Sequence, residues 1–526
     1  MGNRNNTHPP LIEALLNPAL YEPPAERIEL IETHISWVIL TGPYAYKIKK
    51  PVNLGFLDFS TLEKRHFYCE EELRLNRRLA PELYLEVIAI GGSPQSPALG
   101  KEPAIEYAIR MRQFSQDALL DRVLARGELA PHHIDAIARE VARFHGRTAK
   151  APAGSHFGNA QAVCAPVAEN FRQIRDQLAG DAALEELEVW SEKEYAARSA
   201  DFETRKAAGF VRECHGDLHL GNMALLGGEI VLFDCIEFSE NLRWIDVMSE
   251  IAFLAMDLED RGQTGLAHRF LGAYLEQTGD YAGLKVLRYY LVYRAMVRAK
   301  VACIRAAQAG MAQAERNKAL AIYREYIELA GRFIRPAKPW LAITHGLSGS
   351  GKTTCAQAVV ERLGAIRIRS DIERKRLFGL APEARSGSGL DSGLYTPAAH
   401  ANTYRRLEDL ARTVAEAGYP AVVDAAFLKR AERDNFRNLA RALGLPFAIL
   451  DFQANDAVLR ERVALRQRES RDASEADLEV LERQIVSHEP LQADELAWSL
   501  GIAADRPSAP DQTATLVEEW AARQTA

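Results

Sequence analysis

The mostly apolar run 35–40 and the stretch 44–50, which alternates over Tyr44-Ala45-Tyr46-Lys47, read as two strands around Thr41-Gly42-Pro43, a compact turn signal. In the second strand the alternation puts Lys47 and Lys49 on one face. A polar lead-in precedes them, with a short helix near 11–16 ended by Pro23 and Pro24. The period then changes to helical over 62–79, a stretch that carries Glu70, Glu71 and Glu72. A strand returns at 105–111, and 116–199 repeats Ala, Leu and charge at helical spacing. The apolar run 230–233 reads as a short strand, and two long helices follow over 284–307 and 311–334.

Beyond 334 the pattern changes again. Arg335-Pro336-Ala337-Lys338-Pro339 suits a semi-rigid linker. Strands are predicted at 340–344, 365–369, 421–424 and 446–451, with helical stretches between them. Strands alternating with helices predict a mostly parallel sheet covered on both faces. The expected organisation is two domains, 1–335 and 340–526, joined by 336–339, each folding alone.

Composition narrows the class. A chain of 526 residues with 47% hydrophobic and 26% charged residues is that of a globular protein with large cores. A formal charge of -7 offers no electrostatic footprint for nucleic acid. The six cysteines are scattered without a CxxC, which argues against a disulfide framework and a structural zinc site. The polar N-terminus lacks the apolar core of a signal peptide, and no apolar run approaches a membrane span. The expectation is a cytoplasmic protein with no nucleic-acid or membrane partner. Nothing here speaks to its oligomeric state.

Chemistry concentrates in His215-Gly216-Asp217-Leu218-His219-Leu220-Gly221-Asn222 and in Asp234, at the end of the apolar run. Asp217 is placed to accept the proton of a substrate hydroxyl. Asn222, five residues later, and Asp234 are candidate metal ligands beside ATP phosphates. The spacing follows H-x-D-L-x-x-x-N, with Gly where Arg would stand and Asp234-Cys235-Ile236 where D-F-G would stand. The bland alternative is a turn rich in His and Asp. His219 lies four residues after His215, but in a loop with two glycines, so His215 is expected to fix the loop by hydrogen bonds.

These departures resemble the aminoglycoside phosphotransferase and choline kinase families. The resemblance implies an α+β, bilobal, protein-kinase-like fold over 1–335 that uses ATP and Mg²⁺. It further implies a strand-borne Lys paired with a helix-borne Glu. Register against these families favours Lys47 with Glu72, while Lys49 and Glu71 stay open. No G-x-G-x-x-G precedes the lysine. Residues 112–114 would lead into the hinge. Asp246 resembles the family's acid that braces the catalytic loop, and most of the other acids between Glu237 and Asp260 read as structural. Arg294, Arg298 and Arg305 share a helical stripe, either a solvated face or an anion-facing wall.

A second site follows the linker. Gly346-Leu347-Ser348-Gly349-Ser350-Gly351-Lys352-Thr353 fits G-x-x-x-x-G-K-[ST], between a strand and a helix that continues through Thr354. Backbone N–H groups of Gly346, Ser348, Gly349, Ser350, Gly351 and Thr354 would wrap phosphates. Lys352 would reach the β- and γ-phosphates, and Thr353 would hold Mg²⁺. Asp424, ending the third predicted strand, sits where a second acid would hold Mg²⁺ through water. The segment resembles small P-loop kinases such as gluconate kinase, the polynucleotide kinase domain and chloramphenicol phosphotransferase. That resemblance implies Asp371 as the base for the acceptor hydroxyl and Arg374 as a substrate or phosphate contact. It also implies Arg462 and Arg466, with Arg468 and Arg471 beyond, as a lid over ATP, and Gly387–Gly393 as a loop over the acceptor.

Together these readings predict an ATP-dependent enzyme with two kinase domains, each phosphorylating a hydroxyl of a small molecule. The alternative is a P-loop kinase, with nucleic-acid ends among its candidate acceptors, regulated by a pseudokinase-like N-terminal module. The region after Asp234 moves quickly into the Asp246 helix without the A-P-E that closes a protein-kinase activation segment, which disfavours a protein acceptor.

Overall fold

The computed structural model describes residues 8–55, 57–178, 180–308, 310–384, 393–469 and 476–525. The chain forms two compact units. One is Met1–Ala130 with Arg143–Val163 and Glu203–Leu254; the other is Pro131–Ala142 with Cys164–Phe202 and Ala255–Ala526.

Six antiparallel strands begin the first unit: β1 (Glu29–Glu32), β2 (Ser36–Leu40), β3 (Tyr44–Lys49), β4 (Tyr84–Ser93), β5 (Ser96–Leu99) and β6 (Glu106–Arg112). Their order is β1-β2-β3-β6-β4-β5. Alternation along β3 decides what each face does. Tyr46 and Ile48 pack in one core with Ile12 and Leu15 of helix α1 (Pro10–Leu15). Lys47 and Lys49 point the other way, toward helix α2 (Leu62–Asn76). Thr61 caps α2, its Oγ1 accepting from the Lys64 amide at 3.3 Å.

Helices α3 (Leu120–Ala125), α4 (Pro131–Arg147), α5 (Ala160–Arg175) and α6 (Ala182–Ala207) break the 116–199 pattern into separate segments. Then β7 (Val211–Glu213), β8 (Met223–Leu226), β9 (Glu229–Leu232), α7 (Glu240–Arg243), β10 (Trp244–Asp246) and α8 (Val247–Asp260) follow. The β7–β10 and β8–β9 pairs are antiparallel. Residues 214–222 connect β7 to β8, and Asp234 follows β9.

The second unit includes α9 (Thr264–Thr278), α10 (Leu284–Ala306) and α11 (Gln313–Phe333). Next come β11 (Leu341–His345), α12 (Lys352–Leu363), β12 (Ile366–Arg369), α13 (Ser370–Leu377), α14 (Pro397–Glu416), β13 (Ala421–Asp424) and α15 (Arg430–Ala442). The chain ends through β14 (Phe447–Gln453), α16 (Asp456–Glu469), α17 (Leu478–Ser487), β15 (Ser499–Ala503) and α18 (Ala509–Thr525). All five strands are parallel, in the order β12-β13-β11-β14-β15. Trp340, Val359, Val422, Leu450 and Trp520 share the core of this α/β layer. The linker 336–339 has no regular structure and lies inside the second unit, where α9 packs on α12 and β12, α10 bonds the end of α14 through Arg288, and α11 packs on α10. Among the described residues, no helix is long and apolar enough to cross a membrane.

Candidate functional sites

In the first unit Glu72 is fully buried on α2 and meets both lysines of β3. Lys47 Nζ lies 2.7 Å from its Oε1 and Lys49 Nζ 2.6 Å from its Oε2. Glu71 turns away to Arg74, with contacts of 2.9 Å. Lys47 also reaches Asp234 Oδ1 at 2.5 Å, and Lys49 reaches Glu237. Burial opposes the charge on Lys47, but the Asp234 and Glu72 carboxylates outweigh it and hold its pKa well above the ordinary lysine value. Neither lysine works as a surface charge: each is locked between two acids from distant parts of the chain.

Asp234 adopts φ 65°, a left-handed conformation that Asp tolerates better than most residues. Its amide donates to the Tyr84 hydroxyl at 3.2 Å, and the next amide, of Cys235, donates to Asn76 Oδ1 at 2.9 Å. The sheet and α2 therefore hold the backbone that presents this carboxylate.

Asn222 Nδ2 donates to Asp217 twice, to its carbonyl at 3.0 Å and to Oδ2 at 2.9 Å. His219 Nδ1 accepts from the Gly221 amide at 3.1 Å, so its proton sits on Nε2, 3.3 Å from Asp217 Oδ2. His215 accepts on Nδ1 from the Asp217 amide at 3.3 Å and donates from Nε2 to the Phe233 carbonyl at 2.8 Å. It thereby ties the Asp217 loop to the strand leading to Asp234. Gly216 explains the missing arginine: φ is 90°, and a Cβ there would lie 2.9 Å from the Leu242 carbonyl oxygen.

The loop's brace is Glu250, not Asp246. Glu250 Oε1 accepts from the His215 amide at 2.8 Å and Oε2 from the Gly216 amide at 3.0 Å. Asp246 instead holds Arg205 at 2.7 and 2.8 Å and caps the start of α8 at the Met248 amide. The sequence placed an acid near the right helix; only the turn from β10 into α8 decides which acid faces the loop. Buried His145 and Cys214 each place a donor atom within 4.8 Å of Glu250's, but both Glu250 oxygens already serve the loop. The three arginines of the stripe do not share one environment. Arg294 is buried against the Tyr293 ring, Arg298 bonds the Tyr326 hydroxyl at 3.4 Å, and Arg305 is exposed.

In the second unit, residues 346–351 run from β11 into α12. Gly346 and Gly349 have φ of 146° and 82°, and a Cβ on either would sit 2.8 Å from a carbonyl oxygen, of Phe452 or Leu459. Only glycine fits this path. Lys352 Nζ curls onto the loop, at 2.8 Å from the Gly346 carbonyl, 2.7 Å from that of Leu347 and 3.3 Å from Ser350 Oγ. Burial lowers its pKa to about 8, against the opposing pull of Asp424 and Asp371, and Arg466 pushes the same way as burial. Ser350 is buried and the Ser348 amide takes Gln484 Oε1 at 2.8 Å, while Thr353 is half-buried and Thr354 exposed.

Asp424 is buried, and its Oδ2 has no hydrogen-bond partner among the described residues. An orphaned buried carboxylate oxygen is costly unless a cation or water satisfies it. The register of β12 with β13 sets Arg369 opposite Asp424, so Asp371, two residues on, lies at the same carboxyl edge of the sheet. Asp371 Oδ1 meets Arg374 at 3.4 Å, and Arg374 lies over the Tyr395 ring. Arg462 donates to the Gly349 and Ala504 carbonyls at 3.4 and 2.9 Å, and Arg466 to that of Ala476 at 2.7 Å. Arg471 and 387–392 lie outside the described residues. Sequence reasoning missed the buried dyad beside the loop, His345 Nδ1 with Asp451 Oδ1 at 2.6 Å; only its polar residues in apolar strands marked it.

A Lys–Glu pair on a sheet and helix, a braced Asp–Asn loop and a strand-end Asp define a kinase-like fold in one half. A glycine-walled loop between the first strand and helix of a parallel sheet defines a P-loop fold in the other. Residues 69–287 match the model of the phosphotransferase enzyme family, and 341–491 that of an AAA domain. An uncharacterized protein of Mycobacterium tuberculosis (strain ATCC 25618 / H37Rv) is 32% identical over 452 residues, spanning 85% of this chain and 88% of that protein. An uncharacterized protein of Mycobacterium bovis matches to the same degree. The chain belongs to this family, in which a phosphotransferase domain precedes a P-loop kinase domain. Among solved structures, a choline/ethanolamine kinase family protein from Mesorhizobium loti is 13% identical, with 61% of this chain and 99% of that one covered and a TM-score of 0.37. A gluconokinase from Sinorhizobium meliloti 1021 is 20% identical, with 36% and 97% covered and a TM-score of 0.27.

Proposed function

We propose that the chain is an ATP-dependent enzyme with two phosphotransfer sites, each moving the γ-phosphate of ATP to a hydroxyl of a small molecule. The observation that carries this reading is Lys47, held at once by Glu72 and Asp234. That arrangement beside an Asp217–Asn222 pair supports catalysis at the first site over a regulatory pseudokinase.

In the first site, Lys47 would bind the α- and β-phosphates and Glu72 orients it. Asp217 would take the acceptor's proton at its carboxylate, with Asn222 and His219 fixing the side chain's orientation. In the second, the amides of 346–354 would bind phosphate, Lys352 would swing from its own carbonyls to the β- and γ-phosphates, and Arg462 and Arg466 would close over the nucleotide. Asp371 would take the acceptor proton, and Arg374 favours an anionic acceptor. Asn222 and Asp234 in one half, and Thr353 and Asp424 in the other, fit Mg²⁺: they are hard oxygen donors, and Asp424 keeps a buried oxygen unsatisfied. When bound, Mg²⁺ would neutralise charge on the phosphates.

By the motifs each carries, the sequence domains are taken as 1–335 and 340–526 with 336–339 between them, although α9 to α11 belong to the same compact unit as the parallel sheet. The test is to incubate the full chain with γ-labelled ATP and a cytosolic metabolite pool, and to look for label in small molecules. Label appearing only in protein or nucleic acid would reject the small-molecule acceptor.

A further inference from the structure

Arg367 lies on β12, almost fully buried. Its Nε and Nη2 reach Glu276 Oε1 at 2.9 and 2.8 Å, and its Nη1 donates to the Thr353 carbonyl at 3.0 Å. Glu276 belongs to α9, which precedes the linker, and is itself nearly buried. Thr353 is in the first turn of α12, next to Lys352. One guanidinium therefore ties α9 to the strand that leads to Asp371 and to the helix that opens from the phosphate loop.

The contact is wider than one pair. The Glu276 carbonyl accepts from Arg376 on α13, Arg376 pairs with Glu373, and fully buried Glu373 also meets Arg406 at 3.3 Å. Three left-handed glycines mark close approach along the same junction. A Cβ on Gly279, Gly364 or Gly418 would sit 2.8 Å from a side-chain nitrogen of Arg376, His268 or Arg288. Each of these neighbours lies across the linker in sequence. Removing Glu276 would leave a buried guanidinium without its counter-charge, which proteins accommodate by shifting whatever holds it. What holds Arg367 is the first turn of α12.

We propose that Glu276 is a positioning residue for the P-loop site, acting through Arg367 on the Thr353 carbonyl, so that this site is complete only when α9 is present. The inference rests on the reading of 346–353 as an ATP site. The experiment uses the full chain carrying Asp234→Ala, so that ATP binding reports mainly the P-loop site, with Lys352→Ala as the control that removes it. Mg-ATP binding is measured by calorimetry alongside thermal melting. Adding Glu276→Ala should raise the ATP dissociation constant about tenfold, and Glu276→Gln, whose amide oxygen still accepts from Arg367, should restore it to within about threefold. Arg367→Lys keeps the charge but cannot serve Glu276 and Thr353 together, so it should weaken ATP as Glu276→Ala does; it also decides the matter if Glu276→Ala does not fold. A parent that binds no Lys352-dependent ATP would sink the P-loop reading itself. A parent that binds, with unchanged affinity in Arg367→Lys and in any folded Glu276→Ala, would overturn the positioning role and leave the junction purely structural.

Discussion

Lys47 Nζ lies 2.5 Å from Asp234 Oδ1, although 187 residues separate them in the chain. The contact joins the antiparallel sheet to the strand-end carboxylate and makes two mutations at neighbouring acids distinguishable. Asp217→Asn should lower transfer at the first site by ~10²–10⁴ if Asp217 is a general base, and leave ATP affinity nearly intact. Asp234→Ala should instead weaken Mg²⁺-dependent ATP binding, since it strips Lys47 of a partner and removes a metal donor. Titrating Mg-ATP into both variants checks this, and equal losses of affinity would overturn the division of roles.

Glu250 and Asp246 should separate in the same way. Glu250→Gln puts an amide N–H against one of the two loop amides and displaces Asp217, so first-site turnover should fall about 10–100-fold with little change in ATP affinity. Asp246→Asn loosens Arg205 and should lower the melting temperature more than turnover. Steady-state kinetics and melting curves on both variants read the outcome.

Much of this was legible in the sequence. The spacing from His215 to Asn222 and from Gly346 to Thr353 is set by local backbone chemistry, so it survives reading in one dimension. Alternation along β3 likewise put both lysines on one face. What was not legible depends on approach between distant segments. Glu72 serving Lys47 and Lys49 together follows from how α2 crosses β3. The choice of Glu250 over Asp246 depends on where β10 ends and α8 begins. Short strands with few apolar residues, such as β1 and β15, carry weak local signal and form because neighbours offer paired edges. Nor could the linker's prolines reveal that α9 packs on β12 beyond it.

Glu259 provides a pH signature in the second unit. Burial raises its pKa from 4.5 to about 7, with Arg332 opposing. Between those values the unfolded chain has released the proton that the folded chain still holds, so the stability from this group is full below about 4.5 and lost as pH rises through about 7. Glu259→Gln stays neutral at every pH. The variant should match the parent near pH 4.5 and exceed it near pH 8, by up to on the order of 3 kcal/mol. Denaturant melts at the two pH values test this, and a variant less stable at pH 8 would show that the carboxylate is paired.

The central claim is that one chain carries two separate phosphotransfer sites. The most direct test is to supply the full chain, Asp217→Asn and Lys352→Ala with γ-labelled ATP and one metabolite pool, and to resolve the labelled products. Two sets of labelled small molecules should form, one missing with Asp217→Asn and the other missing with Lys352→Ala. A single product set abolished by both substitutions would contradict the account.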